Sequence, residues 1–287
     1  MLLKRILTAI VLIVGLIFLA VFSSPFVFAI SVALITVLAG MEWTRFIGVE
    51  STGAGAGYVF SLAGLLLGAF FLIGATPDAV AVDPLRVLSL MGFGCMFWIL
   101  AGWLLTGYPA NSSSWNDQSH VALMGIFVLV PTWCGIVQLK YLDESGGLVL
   151  GLIALVSIAD IGAYFTGRAW GRRKLAPALS PGKSWAGFWG GMISCVAVTA
   201  GIVAVVSVRV LPLTLIQAIL LVLGAVLVSL SSVVGDLFES MLKRNRNLKD
   251  SGTLLPGHGG ILDRLDSLTA ATPFAVLWLF LVMGLGG

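Results

Sequence analysis

Charge is scarce in this sequence: Asp, Glu, Lys and Arg together make up 10% of its 287 residues, whereas a soluble domain typically carries about 25%. The shortage excludes an ordinary soluble globular protein, and we expect no nucleic-acid partner. Cysteine is also rare, and all three cysteines lie inside apolar runs without metal-ligand spacing (Cys95, Cys134 and Cys195). We therefore expect these cysteines to be small packing residues, neither disulfide-bonded nor metal ligands.

In place of charge, the sequence has a succession of apolar runs of about 18 to 23 residues, the length of a helix that crosses a bilayer. An open sheet would leave its edge groups unpaired in hydrocarbon, and the runs lack the alternation of barrel strands. We predict an all-α, polytopic integral membrane protein with about nine transmembrane helices, at residues 6–23, 25–42, 55–74, 86–106, 120–138, 148–167, 185–207, 214–236 and 270–285.

The distribution of positive charge predicts the orientation. If the N-terminus is cytoplasmic, the external segments hold three of the 16 Lys and Arg residues (Arg86, Lys140 and Arg209), and the cytoplasmic segments hold the rest. The positive-inside rule therefore favours nine spans with a cytoplasmic N-terminus. We expect a protein of the inner (cytoplasmic) membrane.

The chain divides by composition into two parts. Residues 1–145 contain about five spans, and we assign no chemical role to the few charges at their ends, such as Glu42 and Arg45. Residues 146–287 contain the other spans and two cytoplasmic loops rich in Lys and Arg. We expect this second part to be the catalytic region.

The most polar stretch, residues 240–266, reads SMLKRNRNLKDSGTLLPGHGGILDRLD. Its glycines allow several backbone N–H groups to converge on one anion. Asp263 and Asp266 share a face if the last helix begins near Gly260. Carboxylates opposite a basic, N–H-rich loop are typical of a site for a magnesium-bound polyphosphate. His258 lies among these glycines, so we predict that it contacts phosphate or substrate.

Three further features lie close to this stretch or upstream of it. Asp160 lies within an apolar run, with Tyr164 one turn later, and acids inside membranes are usually functional; the alternative is a carboxylate that bonds Ser157 or Tyr164. The segment from Ser180 to Lys183 places a lysine just before a helix, where free N–H groups bind phosphate. Asp236, Glu239 and Lys243 are spaced along one helical face, which an ordinary amphipathic helix end would also explain.

Many of these residues together resemble the signature of the phosphatidate cytidylyltransferases (CDP-diacylglycerol synthases). The matching positions are Ser240, Leu242-Lys243-Arg244, Lys249-Asp250, Gly252, Pro256, His258-Gly259-Gly260 and Asp263-Arg264-Leu265-Asp266. The similarity extends to Asp160, Tyr164, Gly167-Arg168, Ser180-Pro181-Gly182-Lys183 and Gly235-Asp236. One departure is Ala186, where the family usually has glutamate, so this chain lacks one carboxylate.

The resemblance implies transfer of the cytidylyl group of CTP to phosphatidate, with Mg²⁺ as the cofactor and a second cation left open. We expect the active site to face the cytoplasm. The implied metal ligands are Asp236, Asp263 and Asp266. The implied catalytic residues are these three with Lys243, Arg244, Lys249 and Arg264. The implied substrate-binding residues are Asp160, Tyr164, Arg168, Ser180, Lys183, Asp250, His258, Gly259 and Gly260.

Two other classes of function stay open at this point. An ion-coupled transporter could use Asp160 and Asp236 as an ion path, although it would be expected to spread its acids through several spans. A non-catalytic lipid-binding membrane protein would explain Ala186. The aspartate-rich helical motif of a CDP-alcohol phosphotransferase is not found in the sequence. The residues do not decide between a monomer and a homodimer.

Overall fold

The computed structural model describes residues 2–210 and 212–284, with side chains from residue 7 onward. The described part contains nine α-helices: α1 Leu2–Phe22, α2 Pro25–Ile47, α3 Thr52–Ile73, α4 Pro84–Thr106, α5 Gln118–Leu142, α6 Gly147–Trp170, α7 Trp185–Arg209, α8 Leu215–Asn245 and α9 Leu262–Gly284. A 3-10 turn, Ser112–Ser114, precedes α5. The predicted all-α class is confirmed, and the main addition is a short hairpin of β1 Lys174–Ala176 and β2 Ser180–Ser184.

Eight of these helices, α2 to α9, are long and apolar enough to cross a membrane. The apolar part of α1 that can be assessed, Leu7–Phe22, is shorter. The protein is therefore an integral membrane protein of the predicted kind. Two predicted boundaries were too narrow: α8 continues from 236 to Asn245, and α9 begins at Leu262 instead of 270. One ion pair, between Lys243 of α8 and Asp263 of α9, joins these polar helical turns beyond the apolar runs.

The loops after α2, α4, α6 and α8 lie at one end of the helix bundle. Arg246, which follows α8, donates hydrogen bonds to the carbonyls of Phe46 (2.7 Å) and Ile47 (2.9 Å) at the end of α2. Arg244 donates to the carbonyl of Leu179 in the hairpin (3.3 Å). At the other end, Lys140 of α5 donates to the carbonyl of Ala20 of α1 (2.7 Å). Successive loops therefore lie at opposite ends of the bundle, as the topology predicted from the Lys and Arg residues requires. Of these Lys and Arg residues, Lys4 and Arg5 lie outside the described side chains.

The two parts of the chain share one apolar core. Phe97 and Trp98 of α4 pack edge-to-face against Phe238 of α8, with ring centroids 5.6 and 5.5 Å apart. Trp133 of α5 is fully buried in the same cluster. The three cysteines are buried thiols. The two parts that meet at residue 145 thus differ in composition. That they are separate domains stays a prediction.

Helices α6 and α7 approach each other closely because α7 has glycine where it faces α6. A Cβ on Gly187 would lie 2.9 Å from the Ala163 carbonyl, and one on Gly191 would lie 2.6 Å from the Ala159 carbonyl. Small residues commonly allow this kind of contact between membrane helices. Helix α7 begins where Ser184 accepts a hydrogen bond from the Gly187 N–H (3.1 Å), as an N-cap does. The hairpin is thereby fixed over the end of α6.

Candidate active site

A cavity of about 470 Å³ lies between α6, the hairpin, α7 and α8. Its apolar lining includes Ala159, Ala163, Phe188 and Val233. Five predicted site residues line it as well: Asp160, Tyr164, Arg168, Lys183 and Asp236. Asp160 lies ten residues before the end of α6, so the cavity reaches about 15 Å from that helix end.

Lys183 and Asp236 form the charged centre of this cavity. The Nζ atom of Lys183 lies 2.6 Å from a carboxylate oxygen of Asp236, and the two side chains are 24% and 31% exposed. The Ser240 hydroxyl donates a long hydrogen bond to the other oxygen (3.4 Å). Asp160 interacts electrostatically with both members of the pair. These two charged residues can therefore be reached by a ligand.

The alternative environment considered for Asp160 is not observed. Ser157 donates its hydroxyl hydrogen to the carbonyl of Ile153 (2.8 Å), and the Tyr164 hydroxyl accepts from Arg168 (3.2 Å). Asp160 is instead exposed on the cavity side of α6, near Ile161 and Tyr164, which are also exposed. A carboxylate in this position faces the cavity and not a structural partner.

A second cluster of charge lies at the junction of α8, α9 and the loop between them. Lys243 Nζ lies 2.8 Å from Asp263 and 3.4 Å from Glu239, and these side chains are 14%, 9% and 5% exposed. The second oxygen of Asp263 accepts from the Ser251 N–H (2.9 Å), the Ser251 hydroxyl (2.9 Å) and the Gly260 N–H (2.8 Å). Asp263 thus holds the loop closed onto the start of α9.

Asp266 connects the two clusters. Gly235 allows α8 and α9 to touch here, since a Cβ at this position would overlap the Asp266 carbonyl. The Asp266 carboxyl interacts electrostatically with Asp236 and Glu239, and Ser267 donates its backbone N–H to it (2.7 Å). Both oxygens of Glu239 are buried beside Asp266, and one of them lies 3.4 Å from Lys243 Nζ. Four carboxylates therefore converge around two lysines.

The remaining predicted site residues lie around this centre. Arg264 donates to the His258 carbonyl (2.7 Å), and Gly257 and Gly259 have positive φ, as the predicted glycine-rich loop allows. The structure leaves Lys249 and Asp250 exposed on the loop, outside both clusters. Ser180 begins β2, and Arg244 bonds the hairpin as described above.

Three residues of the site were missed by sequence reasoning. Glu239 was considered only for its spacing, although its i,i+4 relation to Lys243 is a usable signal. Ser251 and Glu42 gave no signal, because Glu42 lies on α2 and meets Ser251 only in the folded chain. No role was assigned to Glu42 from the sequence, and in the structure its carboxylate contacts Ser251 and the start of α9.

The residues present fit a magnesium ion by donor type. In the described ranges no three Asp, Glu, His or Cys side chains form a ready-made metal cage. Mg²⁺, however, is usually held by one or two carboxylates together with substrate phosphates. Asp236 and Asp266 lie close enough to interact electrostatically, whereas both Asp263 oxygens already accept protein donors.

A profile of the cytidylyltransferase family matches residues 3–282. The chain belongs to this family. The family match covers both parts of the chain, so the resemblance first seen in the C-terminal half extends to α1–α5.

Named relatives within the cytidylyltransferase family are similar over most of their length. The phosphatidate cytidylyltransferase of Pseudomonas aeruginosa is 40% identical over 88% of this chain and 88% of its own. That of Haemophilus influenzae is 36% identical over 99% of this chain and 100% of its own. That of Brucella melitensis is 36% identical over 83% of this chain and 78% of its own.

Proposed function

We propose that this protein transfers the cytidylyl group of CTP to phosphatidate, giving CDP-diacylglycerol and pyrophosphate. The observation that carries the proposal is that Asp160, Lys183 and Asp236 line one cavity with polar and apolar walls. Asp266 links this cavity to the buried Lys243–Asp263 cluster. The names of the relatives support the choice of substrates. The charged residues of such a cavity suit the phosphates of a nucleotide, and its apolar residues suit a lipid.

The reaction requires charge neutralisation more than it requires a base. A phosphate oxygen of phosphatidate attacks the α-phosphorus of CTP; the new P–O bond forms as the bond to the bridging oxygen of pyrophosphate breaks. A phosphomonoester has a second pKa of about 6 and is largely dianionic at neutral pH. It is therefore already a nucleophile, and the protein must bring two anions together and stabilise the leaving group.

The lysines and arginines perform this task in our proposal. Lys183 and Arg168 bind phosphate oxygens in the cavity, and Lys243 lies behind them beside Asp263 and Glu239. When a phosphate binds Lys183, it competes with Asp236 for the ammonium group. Further phosphate contacts come from Arg244 at the end of α8, from Lys249 and His258 on the loop, and from Arg264 at the start of α9. Asp160 forms the polar floor.

Mg²⁺ would be held by Asp236 and Asp266, with Asp263 as the third predicted ligand, and it would neutralise the triphosphate and the departing pyrophosphate. A ligand role for Asp263 requires one of its oxygens to be shared with Lys243 or released by it. The question of a second cation stays a prediction.

We further propose that the cavity end of the bundle faces the cytoplasm, where CTP is found, because the basic loops gather there. The exposed side of α6 beside Asp160 would let the lipid enter sideways from the adjacent leaflet. Tyr164 and Phe165 on that helix are 59% and 65% exposed. Apolar side chains at this position can contact acyl chains while the headgroup reaches Lys183.

The test is incorporation of labelled CTP into lipid by the purified protein, with phosphatidate and with or without Mg²⁺. We expect metal-dependent formation of CDP-diacylglycerol with stoichiometric pyrophosphate, and no product with diacylglycerol in place of phosphatidate. Failure of well-folded protein to form product would favour the lipid-binding alternative. An ion path is disfavoured, because Asp236, Asp263 and Asp266 cluster at one end of the bundle instead of crossing it.

A further inference from the structure

We infer that Glu42, on α2 in the N-terminal part of the chain, is a positioning residue for the signature loop (residues 246–261, between α8 and α9) and thereby for the binding of CTP. This inference rests on the proposed function for its catalytic consequence. The structural basis is a hydrogen-bonded connection that runs from α2 through the loop to Asp263.

Glu42 is buried, with 4% of its surface exposed. One carboxylate oxygen accepts from the Leu262 N–H (3.0 Å) and shares the Ser251 hydroxyl (3.1 Å) with Asp263 (2.9 Å). Leu262 is the first residue of α9, so its N–H is one of those that a helix leaves unpaired at its start. Glu42 supplies from another helix the acceptor that an N-cap residue normally supplies.

Ser251 carries the connection onward. Its hydroxyl lies 3.1 Å from Glu42 and 2.9 Å from Asp263, and its N–H donates to the same Asp263 oxygen. Arg45, one turn after Glu42 on α2, donates to the Ser251 carbonyl (2.7 Å). Helix α2 therefore fixes both the backbone and the side chain of Ser251.

The packing around Glu42 explains two glycines of the signature. A Cβ on Gly252 would overlap one Glu42 oxygen, and a Cβ on Gly260 would overlap the other oxygen and the Ser251 hydroxyl. Both backbones are buried against the carboxylate. The two glycines thus give Glu42 room to enter the loop, besides any freedom they give the chain.

The consequence is that α2 sets the position of the first turn of α9, which carries Asp263, and thereby that of Asp266 in the next turn. Loss of a partner one step removed from a site typically costs about 10- to 100-fold in metal affinity or activity. We expect the cost to appear in the binding of Mg²⁺ and CTP, because the loop, and not the α6 wall that faces lipid, is the part displaced.

The test compares Glu42→Ala, Glu42→Gln and the matched control Thr36→Val in the full-length protein. Thr36 is a buried polar residue of the same helix, and its hydroxyl bonds only the Val32 carbonyl among the contacts described. Glutamine keeps an oxygen that can accept from Leu262 and Ser251, whereas alanine keeps none.

The hydrogen–deuterium exchange rates of the backbone amides in residues 249–262 measure directly how well the loop is held in place. We expect exchange to be about 5- to 150-fold faster in Glu42→Ala, which leaves the Leu262 N–H unpaired, and near wild type in Glu42→Gln and Thr36→Val. Steady-state kinetics should show KM for CTP raised by about 10- to 100-fold in Glu42→Ala, with KM for phosphatidate unchanged.

The inference is overturned if Glu42→Ala leaves loop exchange at the wild-type rate, if it raises both KM values equally, or if glutamine behaves like alanine. Should Glu42→Ala fail to fold, the glutamine variant decides: wild-type exchange and KM support the acceptor role, and their loss overturns it. A wild-type protein that forms no CDP-diacylglycerol would refute the proposed function, while the exchange measurement would still test Glu42.

Discussion

The two lysine–aspartate pairs of the site have almost the same length and very different surroundings. Lys183 and Asp236 meet at 2.6 Å in an open cavity, where each is about a quarter exposed or more. Lys243 and Asp263 meet at 2.8 Å, nearly buried, with Ser251 and Gly260 donating to the same carboxylate. The first pair can exchange its partner for a substrate, whereas the second maintains the shape of the loop. Ion-pair distance alone does not distinguish these roles; burial and the number of other donors do.

The largest effect that would test this comparison is expected from Asp263→Ala. It leaves Lys243 without its closest partner and leaves the Ser251 and Gly260 donors unpaired, and breaking a buried pair in this way typically costs about 3–5 kcal/mol. We expect both thermal stability and turnover to fall, measured by unfolding in detergent and by CDP-diacylglycerol formation. Near-normal turnover in folded protein would refute any metal or positioning role for Asp263.

The open pair should lose turnover without losing stability. For Lys183→Met and Asp236→Asn we expect turnover to fall about 10²- to 10³-fold, the usual cost of removing one group that stabilises developing charge. Unfolding should change little, because partly exposed pairs contribute about 0–1 kcal/mol. Paired measurement of product formation and melting temperature on each variant tests this. A drop in stability equal to that of Asp263→Ala would remove the distinction between the pairs.

A smaller effect is expected where the hairpin joins α7. Ser184→Ala removes the N-cap acceptor of that helix, which typically costs about 1 kcal/mol. Lys183 would remain in the chain but with less order, so its phosphate contacts should weaken modestly. Melting temperature and KM for both substrates measure this, with Ser184→Asp as the control that restores a cap. An alanine variant with unchanged melting temperature and KM would show that other contacts hold the hairpin.

The smallest effect is expected from Ala186→Glu, which restores the residue usual in the family. Residue 186 lies in the first turn of α7, where a negative charge is worth about 0.3–1 kcal/mol. We expect slightly higher stability and unchanged turnover, because the acids of the site already converge without it. A large rise in turnover would show that the missing carboxylate belongs to the reaction and that this chain works below its family's capacity.

The membrane helices and much of the site could be predicted from sequence, because both depend on local patterns. Apolar runs marked the helices, and the spacing of Asp236, Glu239 and Lys243 correctly implied a shared helical face. The helix ends were less predictable, since α8 and α9 extend through polar residues that pair with one another only after packing. The contact of Glu42 with Ser251 and Leu262 spans more than 200 positions of the chain. No local pattern contains that information.

The lateral position of the cavity at one end of the bundle has a consequence for lipid asymmetry. On the route proposed above, a headgroup that enters beside Asp160 and is modified at Lys183 would return to the leaflet from which it came. Its phosphate would not be carried through the bilayer centre, where charge is costly. Turnover by such an enzyme should therefore be indifferent to membrane voltage, and the product would need a separate flippase to reach the opposite leaflet.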